Sequence, residues 1–170
     1  NTSTTAGPHT IDYVTDGTYD IEFVAMGYCG NDTVRNSVTV HPFPIADFTP
    51  DLPNGCEVLD MTFTNNSTPT ASQNWNFGSN ATPSTSTSFD PGIISFPNPG
   101  VEEIVLLVEE NGCVSSDTNT IEVFPLPVLD FNLNPNQGCS DLEVQIHNTS
   151  VDNGVETFTW DLGNGNTFTG

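Results

Sequence analysis

The chain is 170 residues long and carries a formal net charge of −21, from 22 aspartates and glutamates against one basic residue, Arg35. Such a chain cannot neutralise nucleic-acid phosphates or settle on an anionic membrane, both of which require lysine and arginine. No apolar run approaches the ~20 residues that span a bilayer, so membrane insertion is not expected either.

The acidic residues are scattered, which suits solubility and repulsion between copies. Calcium binding or a high-salt habitat is the other reading of so many carboxylates. Thr, Asn, Ser, Pro and Gly are abundant while Ala, Leu, Lys and Arg are scarce. That composition favours strands and turns over helices. No signal peptide opens the chain, and Asn1 is expected to be an internal start.

Residues 1–42 read as the rear half of a module. Tyr19, Ile21, Phe23 and Ala25 alternate with Asp20, Glu22 and Val24, the period of a half-buried strand. Cys29 to Asp32 is turn chemistry, and Ser37 to Val40 a final strand. Pro42 and Pro44 then interrupt ladder pairing.

Residues 43–125 read as a complete module. Ala46 to Thr49 is a short first strand, and Leu52 to Cys56 turns the chain. Leu59, Met61 and Phe63 then face one way, with Asp60, Thr62 and Thr64 the other. Trp75 and Phe77 are expected to supply bulk to a core, with Gly78 allowing a sharp exit. Residues 79–92 form a Ser/Thr/Pro loop. Ile104, Leu106 and Val108 mark the longest apolar strand, Asn111-Gly112-Cys113 a tight turn, and Ile121 and Val123 the close. About seven short strands separated by turn signals describe an antiparallel β-sandwich.

Residues 126–170 open the same unit again and stop just after its tryptophan strand. Phe124-Pro125-Leu126-Pro127-Val128-Leu129-Asp130-Phe131 repeats His41-Pro42-Phe43-Pro44-Ile45-Ala46-Asp47-Phe48 at a spacing of 83 residues. Leu142, Val144 and Ile146 repeat Leu59, Met61 and Phe63, and Trp160 and Leu162 repeat Trp75 and Phe77 as core residues. A fixed period of this kind sets the architecture before any residue acquires a role.

No catalytic constellation is present, so the chain is not expected to be an enzyme. His9, His41 and His147 lie in unrelated contexts with no triad or metal spacing. Asp47 and Asp130 beside the seams, and Asp51, Asp60 and Asp90 near turns, are the candidate calcium ligands, without EF-hand spacing. No other cofactor is expected. Asn31, Asn65, Asn66, Asn80 and Asn148 fall in Asn-x-Ser/Thr triplets, at a frequency this composition yields by chance. Cys29, Cys56, Cys113 and Cys139 recur with the period, which suggests disulfides in an oxidising, extracellular setting.

Trp160-Asp161-Leu162-Gly163-Asn164-Gly165 and Trp75-Asn76-Phe77-Gly78 resemble the Trp-Asp-Phe-Gly-Asp-Gly signature of the PKD (polycystic kidney disease) domain. Gly17-Thr18-Tyr19-Asp20-Ile21-Glu22-Phe23 matches that family's Gly-x-Tyr-x-Val-x-Leu strand, whereas Glu102 stands where the second copy should have tyrosine. The resemblance implies tandem immunoglobulin-like (PKD-type) antiparallel β-sandwiches in a linear array. The Gly-Cys turns and the Asn-x-Ser after the second strand are similar to PKD arrays of secreted Bacteroidetes surface proteins, including adhesins and type IX secretion cargo.

The function implied is a structural repeat of an extracellular filament or adhesin shaft at the bacterial cell surface, assembling with itself head to tail. Glycans or cell-surface proteins are further partners such a shaft would meet. The alternative is a carbohydrate- or protein-binding accessory module of a secreted enzyme. In such a sandwich Cys56 and Cys113 fall at opposite ends. Bridges across seams are therefore favoured over a Cys56–Cys113 bond, joining Cys56 to the next Cys29 and Cys139 to the next Cys113. Writing Gly170 before Asn1 also continues a module, the two halves giving 87 residues against 83 for the complete one. The expectation is one repeat of a polymer, either a continuous chain or separate subunits that complete one another's split domain.

Overall fold

A computed structural model of the chain describes Thr4, residues 7–151 and residues 157–169. The Gly170–Asn1 join lies outside the described residues.

The alternation around Tyr19 to Ala25 builds β1 (Gly17–Gly27), which pairs antiparallel with β2 (Gly30–Val40) along its whole length. Only Tyr28 and Cys29 form the connecting loop, so the turn is shorter and β2 longer than local composition suggests. The ladder runs from Gly17 opposite Val40 to Gly27 opposite Gly30, with no break to end it early. The Tyr19 hydroxyl donates to the Thr15 carbonyl at 2.9 Å, the corner bond that ties a strand to the chain entering it. Arg35 Nη2 meets Glu22 Oε2 across the hairpin at 2.6 Å.

Nine strands follow: β3 (Phe48–Pro50), β4 (Asn54–Cys56), β5 (Leu59–Met61), β6 (Phe63–Asn65), β7 (Ser72–Asn76), β8 (Thr85–Ser86), β9 (Ile94–Phe96), β10 (Gly100–Glu110) and β11 (Cys113–Phe124). One sheet has the order β4-β11-β10-β7-β8, while β3 pairs with β6 and β5 with β9. The β10–β11 loop is Asn111-Gly112, with φ of 52° and 80°. Both central residues of a type I′ turn need positive φ, which is why Asn-Gly sits there. Local composition marks Asn54 to Cys56 as a turn, yet this segment runs parallel to β11 from Glu122 to Phe124. Edge groups of β11 would otherwise lack partners, and β4 supplies them.

Period-2 patterning decides what is buried. Leu59, Met61, Phe63, Phe48, Ile94 and Phe96 from the short strands meet Trp75, Phe77, Ile104, Leu106, Val108, Ile121 and Val123 in one core cluster. Trp75 and Phe77 stack at 5.5 Å, and Phe48 meets the indole edge-on at 5.2 Å. The indole Nε1–H donates to the Ser88 carbonyl at 2.9 Å, so burying Trp75 leaves no donor unpaired. The buried Gln73 amide likewise donates to the Ala71 carbonyl at 2.9 Å.

The last strands are β12 (Phe131–Asn134), β13 (Gln145–Asn148), β14 (Thr159–Asp161) and β15 (Thr167–Thr169). No helix occurs among the described residues.

Candidate functional site

The 83-residue period holds the register of the long hairpins and of the first strand pair. Gly17 opposite Val40 and Gly27 opposite Gly30 correspond to Gly100 opposite Val123 and Glu110 opposite Cys113. Phe131 opposite Asn148 corresponds to Phe48 opposite Asn65. The clasp around this pair also repeats. Asn65 Oδ1 accepts the Ser67 amide at 3.0 Å, and Ser67 Oγ bonds both the amide and the carbonyl of Asp47. Asn148, Ser150 and Asp130 form the same three bonds. These Asn-x-Ser triplets therefore act as backbone clasps, side chains bonding nearby main chain.

Matching register positions meet different fates. Leu106 is fully buried, while its counterpart Phe23 is 72% exposed. Phe48 is 3% exposed and its counterpart Phe131 52%. Ile21 and Val34 on the first hairpin, and Leu142, Val144, Ile146 and Leu162 near the other end, are also exposed large apolar residues. Apolar side chains, most with counterparts in the central core, thus lie bare at both ends of the chain, the kind of apolar patch that marks an interaction surface.

Hydrogen-bonding edges are bare at the same places. β10 pairs with β11 on one side and β7 on the other, whereas among the described residues β1 pairs with β2 alone. β7 lies between β10 and β8, whereas among the described residues β14, carrying Trp160, pairs with β15 alone. Trp160 is half-buried, edge-on to Phe131 at 5.5 Å and stacked on Phe168 at 6.1 Å. This aromatic group repeats the Phe48–Trp75 contact without the strands that seal the latter.

The acidic candidates are engaged locally. Asp51 takes the Thr62 amide and hydroxyl on its two oxygens, both at 3.1 Å. Asp130 Oδ1 accepts the Phe131 amide at 2.9 Å, and Asp90 Oδ1 the Gly92 amide at 3.1 Å. The Asp47 main chain is held by Ser67, and Asp60 lies in β5 opposite Ser95. Among the described residues no three His, Cys, Asp or Glu side chains gather as a metal cage. The histidines stand apart, with His9 ahead of β1, His41 just after β2, and His147 in β13 opposite Asn132. An open depression lined by Ser72, Asn74, Phe89, Leu107 and Glu109 brings no acid–base pair together.

All four cysteines are thiols, exposed except for the half-buried Cys113. Cys56 lies in β4 beside Phe124, while Cys113 opens the same β11. Twelve residues of strand separate the two, about 36 Å by strand rise. Cys113 Sγ instead approaches the His41 carbonyl at 3.8 Å, placing the hairpin tip on the preceding seam.

Two contacts were not legible in the residue pattern. The Phe48 amide donates to Asp117 Oδ2 at 3.2 Å, linking β3 to β11, and the Glu102 carboxylate lies over Gly78. Glu102 occupies the register position of Tyr19, so its departure from the repeat was the one signal available.

No family model matches the chain, and no curated protein matches it significantly.

Proposed function

We propose that this chain is a structural repeat of an extracellular bacterial filament or adhesin shaft, a linear array of PKD-type immunoglobulin-like sandwiches joined head to tail. The observation that carries this reading is the bare face of the β1–β2 hairpin, matched by the bare face of β12–β15. Each exposes the residues that the central module buries against the other's counterpart. A front half of the 126–169 kind lacks counterparts of β9, β10 and β11, and residues 17–40 supply the last two. Burial of a Phe- or Leu-sized side chain contributes roughly 1.5–3 kcal/mol, so joining the halves has a strong apolar drive. The contact is heterologous and does not close on itself, which yields rods rather than rings. The high negative charge then keeps the sides of such rods apart.

Sedimentation of the 170-residue chain over a concentration series, with electron microscopy of the heaviest fraction, tests this. Growing linear assemblies are expected. A chain that stays monomeric at every concentration, and instead binds polysaccharide in a pull-down, would replace the shaft with the accessory binding module of a secreted enzyme.

A further inference from the structure

We propose that successive copies are locked by two disulfides, Cys139 of one copy to Cys113 of the next and Cys56 of the first to Cys29 of the next. This rests on the head-to-tail reading above. It starts from what the central module does with its Gly-Cys turn. Cys56 is the ladder neighbour of Phe124, and the following amide, Glu57, donates to the Phe124 carbonyl at 2.9 Å. The turn therefore closes on the exit end of the module's last strand.

The period carries Phe124 back onto His41 and Cys56 forward onto Cys139. When the front half of one copy takes up the β1–β2 hairpin of the next, Cys139 becomes the ladder neighbour of His41. Strand neighbours lie about 4.8 Å apart. The His41 carbonyl is also the group that Cys113 Sγ approaches at 3.8 Å. Two cysteines, one from each copy, thus converge on a single residue, the kind of approach that a disulfide, with its Cα separation of about 4.4–6.8 Å, requires. Oxidation removes the Cys113 S–H, and the Ser140 amide, counterpart of Glu57, takes over the His41 carbonyl.

The second pair follows from the same operation one module further on. Phe124 is the counterpart of His41, so the next hairpin tip docks beside it, where Cys56 already lies. That tip belongs to the following copy and carries Cys29, one position earlier in the hairpin than Cys113. All four cysteines are consumed, and both bonds join the same two copies.

Each bond forms by thiol–disulfide exchange with a low-molecular-weight disulfide such as oxidised glutathione. One cysteine thiolate attacks the oxidant to give a mixed disulfide and release one thiol. The second cysteine thiolate then displaces the other thiol, so two cysteines are oxidised and one oxidant is reduced to two thiols.

The test uses the full chain in a glutathione redox buffer, followed by non-reducing electrophoresis. A ladder in steps of 18.2 kDa is expected. Peptide mapping should find Cys139–Cys113 and Cys56–Cys29. The C29S/C56S variant keeps one predicted pair and should still form the ladder. C56S/C113S and C29S/C139S each keep two cysteines that are not predicted partners, and should give none. Crosslinking in these last two variants, or linear assemblies whose thiols all remain open to alkylation after oxidation, would overturn the disulfide lock while leaving the shaft standing. Absence of assembly under reducing and oxidising conditions alike would remove the shaft itself.

Discussion

Phe23 and Leu106 hold the same register position in two hairpins of identical length, yet Phe23 is 72% exposed and Leu106 fully buried. In the central sheet Leu106 lies opposite Trp75. In the proposed array Phe23 would lie opposite Trp160 of a neighbouring copy. Two substitutions should therefore separate assembly from folding. Leu106→Ala should destabilise the chain by about 2–5 kcal/mol, since it empties a closed core. Phe23→Asp should leave the unfolding free energy within about 0.5 kcal/mol of wild type under dilute conditions, as exposed positions do. It should nevertheless abolish the concentration-dependent increase in sedimentation coefficient. An F23D chain that sediments like wild type would show that this face has no partner.

The single Arg or Lys of the chain, Arg35, lies on the hairpin that the proposed assembly uses. Carrying the β10–β7 register across the proposed join places Glu22 opposite Asp161, in the positions of Val105 and Asn76. Like charges directly opposite one another cost about 0.2–1 kcal/mol. Arg35 already bridges to Glu22 at 2.6 Å from β2, on the far side of Glu22 from Asp161, and would offset its charge. Both members of the pair are largely solvated, so in the isolated chain the bridge contributes little. Arg35→Gln should accordingly weaken self-association roughly three- to tenfold at low salt and leave monomer stability almost unchanged. D161N should restore association in the double variant. Sedimentation at two ionic strengths measures both effects, and an R35Q defect indifferent to D161N would refute this register.

Gly78 is fixed by two separate requirements. Its φ is +88°, and an added Cβ would run into the Glu102 carboxylate. Gly78→Ala should cost about 1–3 kcal/mol in chemical denaturation, combining the left-handed backbone penalty with the clash. Adding E102A should recover the steric part and leave roughly 1–2 kcal/mol. The counterpart Gly163, at φ +73°, has nothing within 4 Å of the added atom, so Gly163→Ala should show the backbone part alone. Equal costs at the two glycines would mean that Glu102 yields freely.

By itself the sequence determined the long strands, the period and the inward-facing set of the central module, because alternation and turn chemistry are local. Leu59, Met61, Phe63, Trp75 and Phe77 were readable as core residues from their spacing, and all are buried. Asn111-Gly112 named its own turn for the same reason. What the tertiary structure alone decided are relations between distant segments. Asn54 to Cys56 looks like a turn in isolation and becomes a strand because β11 presents an open edge to it. Asp117 reaches the Phe48 amide, and Glu102 takes a tyrosine's place over Gly78, through contacts no local pattern encodes. Burial divides the same way. Phe23 and Leu106 are equally apolar and equally patterned, and patterning tells which face of a strand is apolar. Whether that face is covered depends on the segment packed against it, and only the fold shows Leu106 sealed and Phe23 still open.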